Sequence, residues 1–370
     1  MKTPHRTALL AATTIALLAG AASAYAAPSP TASGHRPSAA GEANATAYGW
    51  SLTPTGTTER FRGLAPVSSE IAWVSGTNGT VLRTTDGGST WADVSPEGLG
   101  TEALQFRDIE AFDAQRAVIL SIGEGEDSRI LVTADGGASW TETFRNAEPT
   151  AFYDCLAFSS PQRGLAMSDP VDGRFRLVET ADGGHTWSIV DPAGMPDALA
   201  GEFAFAASGT CLSTGPGNRT YLASGGVDPA RLFTSTDRGH TWTVAATPVA
   251  GGAAAGIFSV TFRDARRGVL LGGDFTAPTG SVDNAAWTAD GGATWSKPTT
   301  NPGGYRSGSD WVTGTRATVL AVGPSGSDVS TDGGRSWTAF DTGSFDSVEC
   351  TNDGACWASG EQGRVAALHR

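Results

Sequence analysis

Hydrophobic and polar positions alternate in short bursts along most of this chain. Between residues 61 and 95 four bursts follow one another: FRGLAPV, IAWVSG, TVLRTT and TWADVS. Each is shorter than an ordinary helix, carries β-branched or aromatic residues, and is bounded by Gly, Pro, Asn, Asp or Ser. That is the pattern of β-strands joined by turns. Similar groups of short runs return down the chain, while the 3.6-residue period of amphipathic helices is nearly absent. The pattern predicts an all-β protein.

The most regular feature is TTDGGSTW at Thr84–Trp91. It returns as TADGGASW (Thr133–Trp140), TADGGHTW (Thr180–Trp187), STDRGHTW (Ser235–Trp242), TADGGATW (Thr288–Trp295) and STDGGRSW (Ser330–Trp337). The acids are Asp86, Asp135, Asp182, Asp237, Asp290 and Asp332, at intervals of 49, 47, 55, 53 and 42 residues. Such a period, filled by four short strands, predicts propeller blades. In each copy the turn joins the third strand to the fourth. Glycine supplies the positive φ, aspartate bonds the turn amides, and tryptophan opens the fourth strand. The six acids are therefore read as scaffold, not as catalytic groups.

The two ends of the repeat region complete each other. CWASGEQGRVAAL, Cys356–Leu368, matches AWVSGTNGTVLRT of the first blade, with no seventh turn motif after it. TAYGWSLTPTG, Thr46–Gly56, reads as a lone fourth strand ahead of that blade. Seven blades follow, the ring being closed by the N-terminal strand joining the last blade, which removes an exposed sheet edge.

Upstream the pattern changes. Lys2, His5 and Arg6 precede an apolar, small-residue stretch, Ala8–Ala22, followed by small-x-small sites at 22–26. This reads as a secretory signal peptide over residues 1–26. Residues 27–47, small, polar and proline-bearing, read as a disordered linker. The propeller then occupies 48–370, and no other apolar run reaches membrane length. Secretion, no stable membrane insertion and a monomeric state are expected.

Charge and cysteines narrow the chemistry. With 25 basic and 38 acidic residues the net charge is −13, which argues against nucleic acid as a partner. Four cysteines in an exported chain predict disulfides. Cys350 and Cys356 flank a tight turn and form the first candidate pair, leaving Cys155–Cys211. No C-x-x-C or histidine pair at ligand spacing supports zinc, no cofactor motif is present, and none of the five histidines is placed as a triad base. Gly123–Asp127, GEGED, reads as a solvated acidic loop in preference to a calcium loop.

The turn motif, S/T-x-D-x-G-x-S/T-W, is similar to the Asp-box of sialidases and related propellers. Over most of the predicted mature chain, the elements FRGL…WVSG…TTDGGSTW, FRDIEAF, GGDFT and WASGEQG resemble the photosystem-II-assembly-factor-like family of secreted bacterial propellers. That resemblance implies a binding or assembly module, and relatives are often labelled oxidoreductase or glycosyl hydrolase-like. No G-x-G-x-x-G opens a helix here, so a redox assignment has no support in the residues.

Function is expected at one mouth of the channel. The inner strands start at Phe61-Arg62-Gly63-Leu64, Phe106-Arg107-Asp108-Ile109, Phe152-Tyr153-Asp154-Cys155, Ile257-Phe258, Tyr305-Arg306 and Phe345-Asp346. Blade 4, around Glu202-Phe203-Ala204-Phe205, aligns loosely. Antiparallel pairing puts these starts on the same face as the loops after the second strands, which carry Asp169 and Asp274. Two readings stand: charges paired with one another in a wet channel, or a ligand site. As a site, Arg62, Arg107 and Arg306 would clamp an anion, with Asp169, Asp274 and Glu202 as further candidates. The partner would be an unidentified protein or carbohydrate. The alternative is a sialidase-like glycosidase, with Tyr305 or Tyr153 as nucleophile and Asp108 or Asp154 as acid/base; Phe61-Arg62-Gly63-Leu64 departs from the sialidase F/Y-R-I-P start. A two-carboxylate glycosidase, pairing Asp154 with Asp169 or Asp274, is the third reading.

Overall fold

The groups of short strands form seven antiparallel sheets arranged as the blades of a β-propeller, seen in a computed structural model that describes residues 48–370. The expected signal peptide and linker, residues 1–26 and 27–47, lie outside the described residues. From blade 1 to blade 7 the inner strands are Phe61–Pro66, Gln105–Ala111, Tyr153–Ser160, Leu212–Gly215, Ala255–Phe262, Gly308–Trp311 and Ser347–Cys350. Six blades have four strands. In blade 5 the fourth is reduced to a bridge between Trp287 and Ser296. The first strand, Gly49–Pro54, is the outermost strand of blade 7, with Gly49 opposite His369 and Pro54 opposite Arg364.

Apolar faces are buried between blades. Leu64, Val74 and Leu82 of blade 1 pack on Trp357 and Val365 of blade 7. Trp73 and Val81 pack on Ile109, Ile119 and Leu131 of blade 2. The same arrangement continues through every neighbouring pair. Each blade thus presents two apolar faces, which explains strands such as AWVSG that are buried at every position. Burying one such aliphatic side chain contributes roughly 1.5–3 kcal/mol.

All six repeated turns share one hydrogen-bond scheme. In the first, Thr84 donates its hydroxyl to Asp86 Oδ1 at 2.8 Å and accepts the Gly88 amide at 2.9 Å. Asp86 then takes the Thr90 amide at 2.9 Å and the Thr90 hydroxyl at 2.6 Å. Asp135, Asp182, Asp237, Asp290 and Asp332 repeat this set. The two central glycines of the first turn have φ of 69° and 81°, a region costly for other residues. Trp91 and Trp140 reach across to the preceding blades, meeting Trp357 and Trp73 edge-on at 6.3 and 6.4 Å.

Two disulfides are present, Cys155–Cys211 and Cys350–Cys356. The second closes the turn between the first two strands of blade 7. The first ties the inner strand of blade 3 to the residue just before that of blade 4. Among the described residues no helix is long and apolar enough to cross a membrane. These features are compatible with a secreted protein.

Blade 4 departs from the sequence expectation. Its inner strand is Leu212–Gly215, not the stretch around Glu202–Phe205. Residues 203–210 instead bridge the central channel. Ala204 N donates to Asp169 of blade 3, and Phe205 stacks on Phe258 of blade 5 with ring centroids 3.7 Å apart. The Ala206 carbonyl faces Arg62 and Arg107 of blades 1 and 2, and Ser208 donates to the Ser307 carbonyl of blade 6 at 2.7 Å. Small residues allow the passage. A Cβ on Gly209, whose φ is 79°, would sit 2.3 Å from Asp108 Oδ1.

Candidate functional site

The bridging segment separates two cavities. On the side where the inner strands begin, about 480 Å³ is enclosed by Arg60, Arg62 and Arg107 against Phe205, Phe258, Phe275 and Tyr305. The arginines come from the starts of two adjacent inner strands. The aromatic wall comes from the bridge, blade 5 and blade 6, and buries Phe205, Phe258 and Tyr305 as one cluster.

The arginines differ in how well they are neutralised. Arg60 makes a fork with Asp346, Nε to Oδ2 at 2.7 Å and Nη2 to Oδ1 at 2.6 Å. Arg62 lies 3.7 Å from the same carboxylate and donates to the Ala206 carbonyl at 3.3 Å. Arg107 donates to Ala206 O at 2.9 Å and to Gln105 Oε1 at 2.8 Å. It has no carboxylate at ion-pair distance among the described residues. Burial, followed by repulsion from Arg62 and Arg60, pulls the Arg107 guanidinium down to about 10. Burial also lowers Arg62. An anion arriving between them would relieve both effects.

Arg306, expected as the third member of the cluster, is elsewhere. It is 1% exposed and pairs with Asp328, with Nε 2.6 Å from Oδ2. Its Nη1 donates to Ser325 Oγ at 2.9 Å. Asp328, in the middle of the third strand of its blade (Gly326–Ser330), draws the side chain inward. Arg60 takes its place at the mouth. The available signal was its place: Arg60 immediately precedes the inner strand Phe61–Pro66 that carries Arg62.

The other candidates separate as well. Tyr305 lines the mouth, but it is 6% exposed and burial pushes its phenol well above the ordinary value. The Tyr153 hydroxyl is raised in the same way. Asp108 lies beyond the bridge, accepting the Leu156 amide at 2.6 Å. Asp154 and Asp169 form a buried carboxyl pair. Burial and Asp169 drive Asp154 well above the carboxylate range, and burial pushes Asp169 to about 6. Neither lines the mouth cavity. Asp274 closes its own loop by taking the Thr276 amide at 2.8 Å, and Glu202 is held by Arg231 and Ser224. No group of three or more His, Cys, Asp or Glu among the described residues is arranged to hold a metal ion.

What this mouth can do is take an anionic group on the arginines and an apolar or aromatic body on the phenylalanines. The fold is that of a seven-bladed β-propeller. No protein-family profile and no curated protein match the chain. Solved structures of similar fold include YCF48 bound to D1 peptide, 16% identical over 87% of this chain and 97% of that one, with a TM-score of 0.61. YCF48 from Cyanidioschyzon merolae is 16% identical over 86% of this chain and 98% of that one, TM-score 0.60. The GH74 xyloglucanase from Xanthomonas campestris is 15% identical, TM-score 0.57, covering 86% of this chain and 53% of the longer enzyme. At these identities the likeness is one of fold.

Proposed function

We propose that the protein is an exported binding module whose channel mouth holds a carboxylate-bearing segment of a partner, with an adjacent apolar side chain on the aromatic wall. The observation that carries this reading is Arg107, a partly buried guanidinium with carbonyl partners but no carboxylate at ion-pair distance among the described residues. A bidentate anion is the partner such a group lacks. The resemblance to photosystem-II-assembly-factor-like propellers supports a binding role, as does the peptide held by YCF48 in the similar structure. The expected signal peptide and the two disulfides support export.

The test uses N-acetyl-phenylalanine, which joins a carboxylate to an aromatic ring, and its amide as the neutral counterpart. Calorimetry is expected to show saturable binding of the acid alone, weakened at least about tenfold in Arg107→Ala. Equal binding of the amide, or indifference to the mutation, rejects the reading.

The second reading, a sialidase-like glycosidase, draws on Tyr305 beside Arg62 in one cavity. Turnover of 4-methylumbelliferyl sialic acid, abolished in both Arg62→Ala and Arg107→Ala, would install it in place of the binding module.

A further inference from the structure

The two ends of the channel carry opposite charge. Beyond the bridge, Asp108 and Glu110 of blade 2, Asp310 of blade 6 and Glu349 of blade 7 line a cavity of about 220 Å³. At the mouth, the guanidinium groups of Arg60, Arg62 and Arg107 meet two carboxylates, Asp346 and Glu361. One positive charge is left over. That suits a single carboxylate better than a doubly charged group such as phosphate.

The backbone aims these side chains. Arg62 and Arg107 are the extra residues of β-bulges, where the pairing skips from Phe61 to Gly63 and from Phe106 to Asp108. A bulge re-aims its side chain away from the regular pleat. Phe258 holds the same place in blade 5, between Ile257 and Ser259. One backbone device thus presents two of the cations and part of the aromatic wall.

The mouth does not end at the arginines. Arg60, Arg62 and Arg107 also line a cavity of about 200 Å³ that they share with Gly76 and Thr77 of blade 1 and Gln105 and Phe106 of blade 2. Its acceptors are already used. Thr77 Oγ1 takes the Arg60 amide at 3.1 Å, and Gln105 Oε1 takes Arg107 at 2.8 Å. Its donors are not. Arg62 Nε is buried without a hydrogen-bond partner among the described residues. The Gln105 amide, its oxygen committed to Arg107, keeps its N–H groups. A cavity with spare donors and no spare acceptor calls for carbonyl oxygens. A chain terminus seated on the arginines would stop short of it. An acid in mid-chain would carry its following peptide groups into it.

We propose that this cavity is a second subsite of the mouth, and that the mouth takes the side-chain carboxylate of an internal aspartate or glutamate of an extended peptide, whose onward backbone fills the subsite. The proposal rests on the reading of the mouth as a carboxylate site and goes beyond it in naming which carboxylate.

Calorimetry of the full chain compares two ligands. N-acetyl-phenylalanyl-aspartyl-alanine amide has an internal acid and no free terminus, whereas N-acetyl-alanyl-phenylalanine has a terminal acid alone. The internal acid is expected to bind at least about tenfold tighter. Gln105 is exposed, so Gln105→Trp can place a bulky ring in the subsite, and the ratio of the two affinities is then expected to fall to about one. Thr77→Leu makes the same comparison from the other wall if the first variant does not fold. Equal or weaker binding of the internal acid, or a ratio that survives substitution, overturns the subsite while leaving the mouth in place. Absence of binding by both acids removes the mouth reading and the subsite with it. Tighter binding of trigalacturonate than of either peptide would put an acidic carbohydrate in the place of the peptide and likewise overturns the proposal.

Discussion

Two sets of carboxylates sit in one ring and follow opposite rules. The six turn acids lie on hairpins, and each is satisfied by groups within four residues of it. Their hydrogen bonds hold the acids down: bonds from Ser139 take Asp135 to about 2, and bonds from Thr294 take Asp290 to about 2. The channel acids come from separate blades and meet only because the ring closes. Burial pushes them up. A local motif can thus repeat unchanged six times, whereas a channel lining is assembled once, from single residues of different repeats.

The largest expected effect concerns a channel charge that does have a partner. Arg306→Ala leaves Asp328 buried alone, at a cost of roughly 3–5 kcal/mol. A large drop in melting temperature, or failure to fold, is the expected readout. Arg107→Ala, by contrast, removes a charge with no acid at ion-pair distance among the described residues and should leave the melting temperature close to that of the parent. Equal losses in the two variants would break the distinction between sealed and ligand-facing arginines.

Next comes the bridge. Gly209→Ala forces a side chain at positive φ against the Asp108 carboxyl and is expected to cost about 1–3 kcal/mol. Denaturant melts measure it. A neutral result would mean that the bridge yields freely and does not hold the two cavities apart.

A smaller effect, a fall of a few degrees in melting temperature, is expected for Asp237→Ala, which removes the acceptor of the Thr241 amide and hydroxyl. Its five counterparts stay intact, so the ring should survive.

The gentlest test is pH. The turn acids are all lowered, Asp135, Asp182, Asp237 and Asp290 to about 2, below the unfolded value of about 3.9. Their stabilisation is complete above about pH 4 and is lost as pH falls toward 2. The channel acids are raised, so the folded state keeps protons that the unfolded chain has shed. Their effect is a loss of stability as pH rises from about 4 through 6 and 7. Thermal melts from pH 2 to 9 should peak near pH 4. A flat limb above pH 4 would remove the contrast between the two sets, and Glu110→Gln with Glu349→Gln should flatten it deliberately.

The sequence displayed what is local. The repeated turns and four-strand spacing were legible because each depends on residues within one repeat, and the seventh blade because the two ends match the missing parts of that repeat. Arg62, Arg107 and Tyr305 do line one cavity, because each lies at or just before the start of an inner strand. Less legible was everything set by packing across the channel. Arg306 turns away because Asp328 faces it from the third strand of the same blade. Asp108 falls beyond the bridge because the chain before blade 4 crosses the ring. The loose match of that blade, with its run of small residues AFAASG, was the one visible sign. Phe258 and Phe275 read as strand and loop residues, and only the bridge makes a wall of them.

The seam in blade 7 has a further consequence, in time. Ser51 and His369, 318 positions apart, meet across it. While the chain is being made, the first strand has nothing to pair with until the last one emerges. At about 5–20 residues per second, that wait runs to tens of seconds. Throughout it, blade 7 is missing a strand and both raw sheet edges stand open to any extended neighbour. The ring is therefore held closed by one fastening between its first and last described strands, and a cut at either end would undo the same clasp.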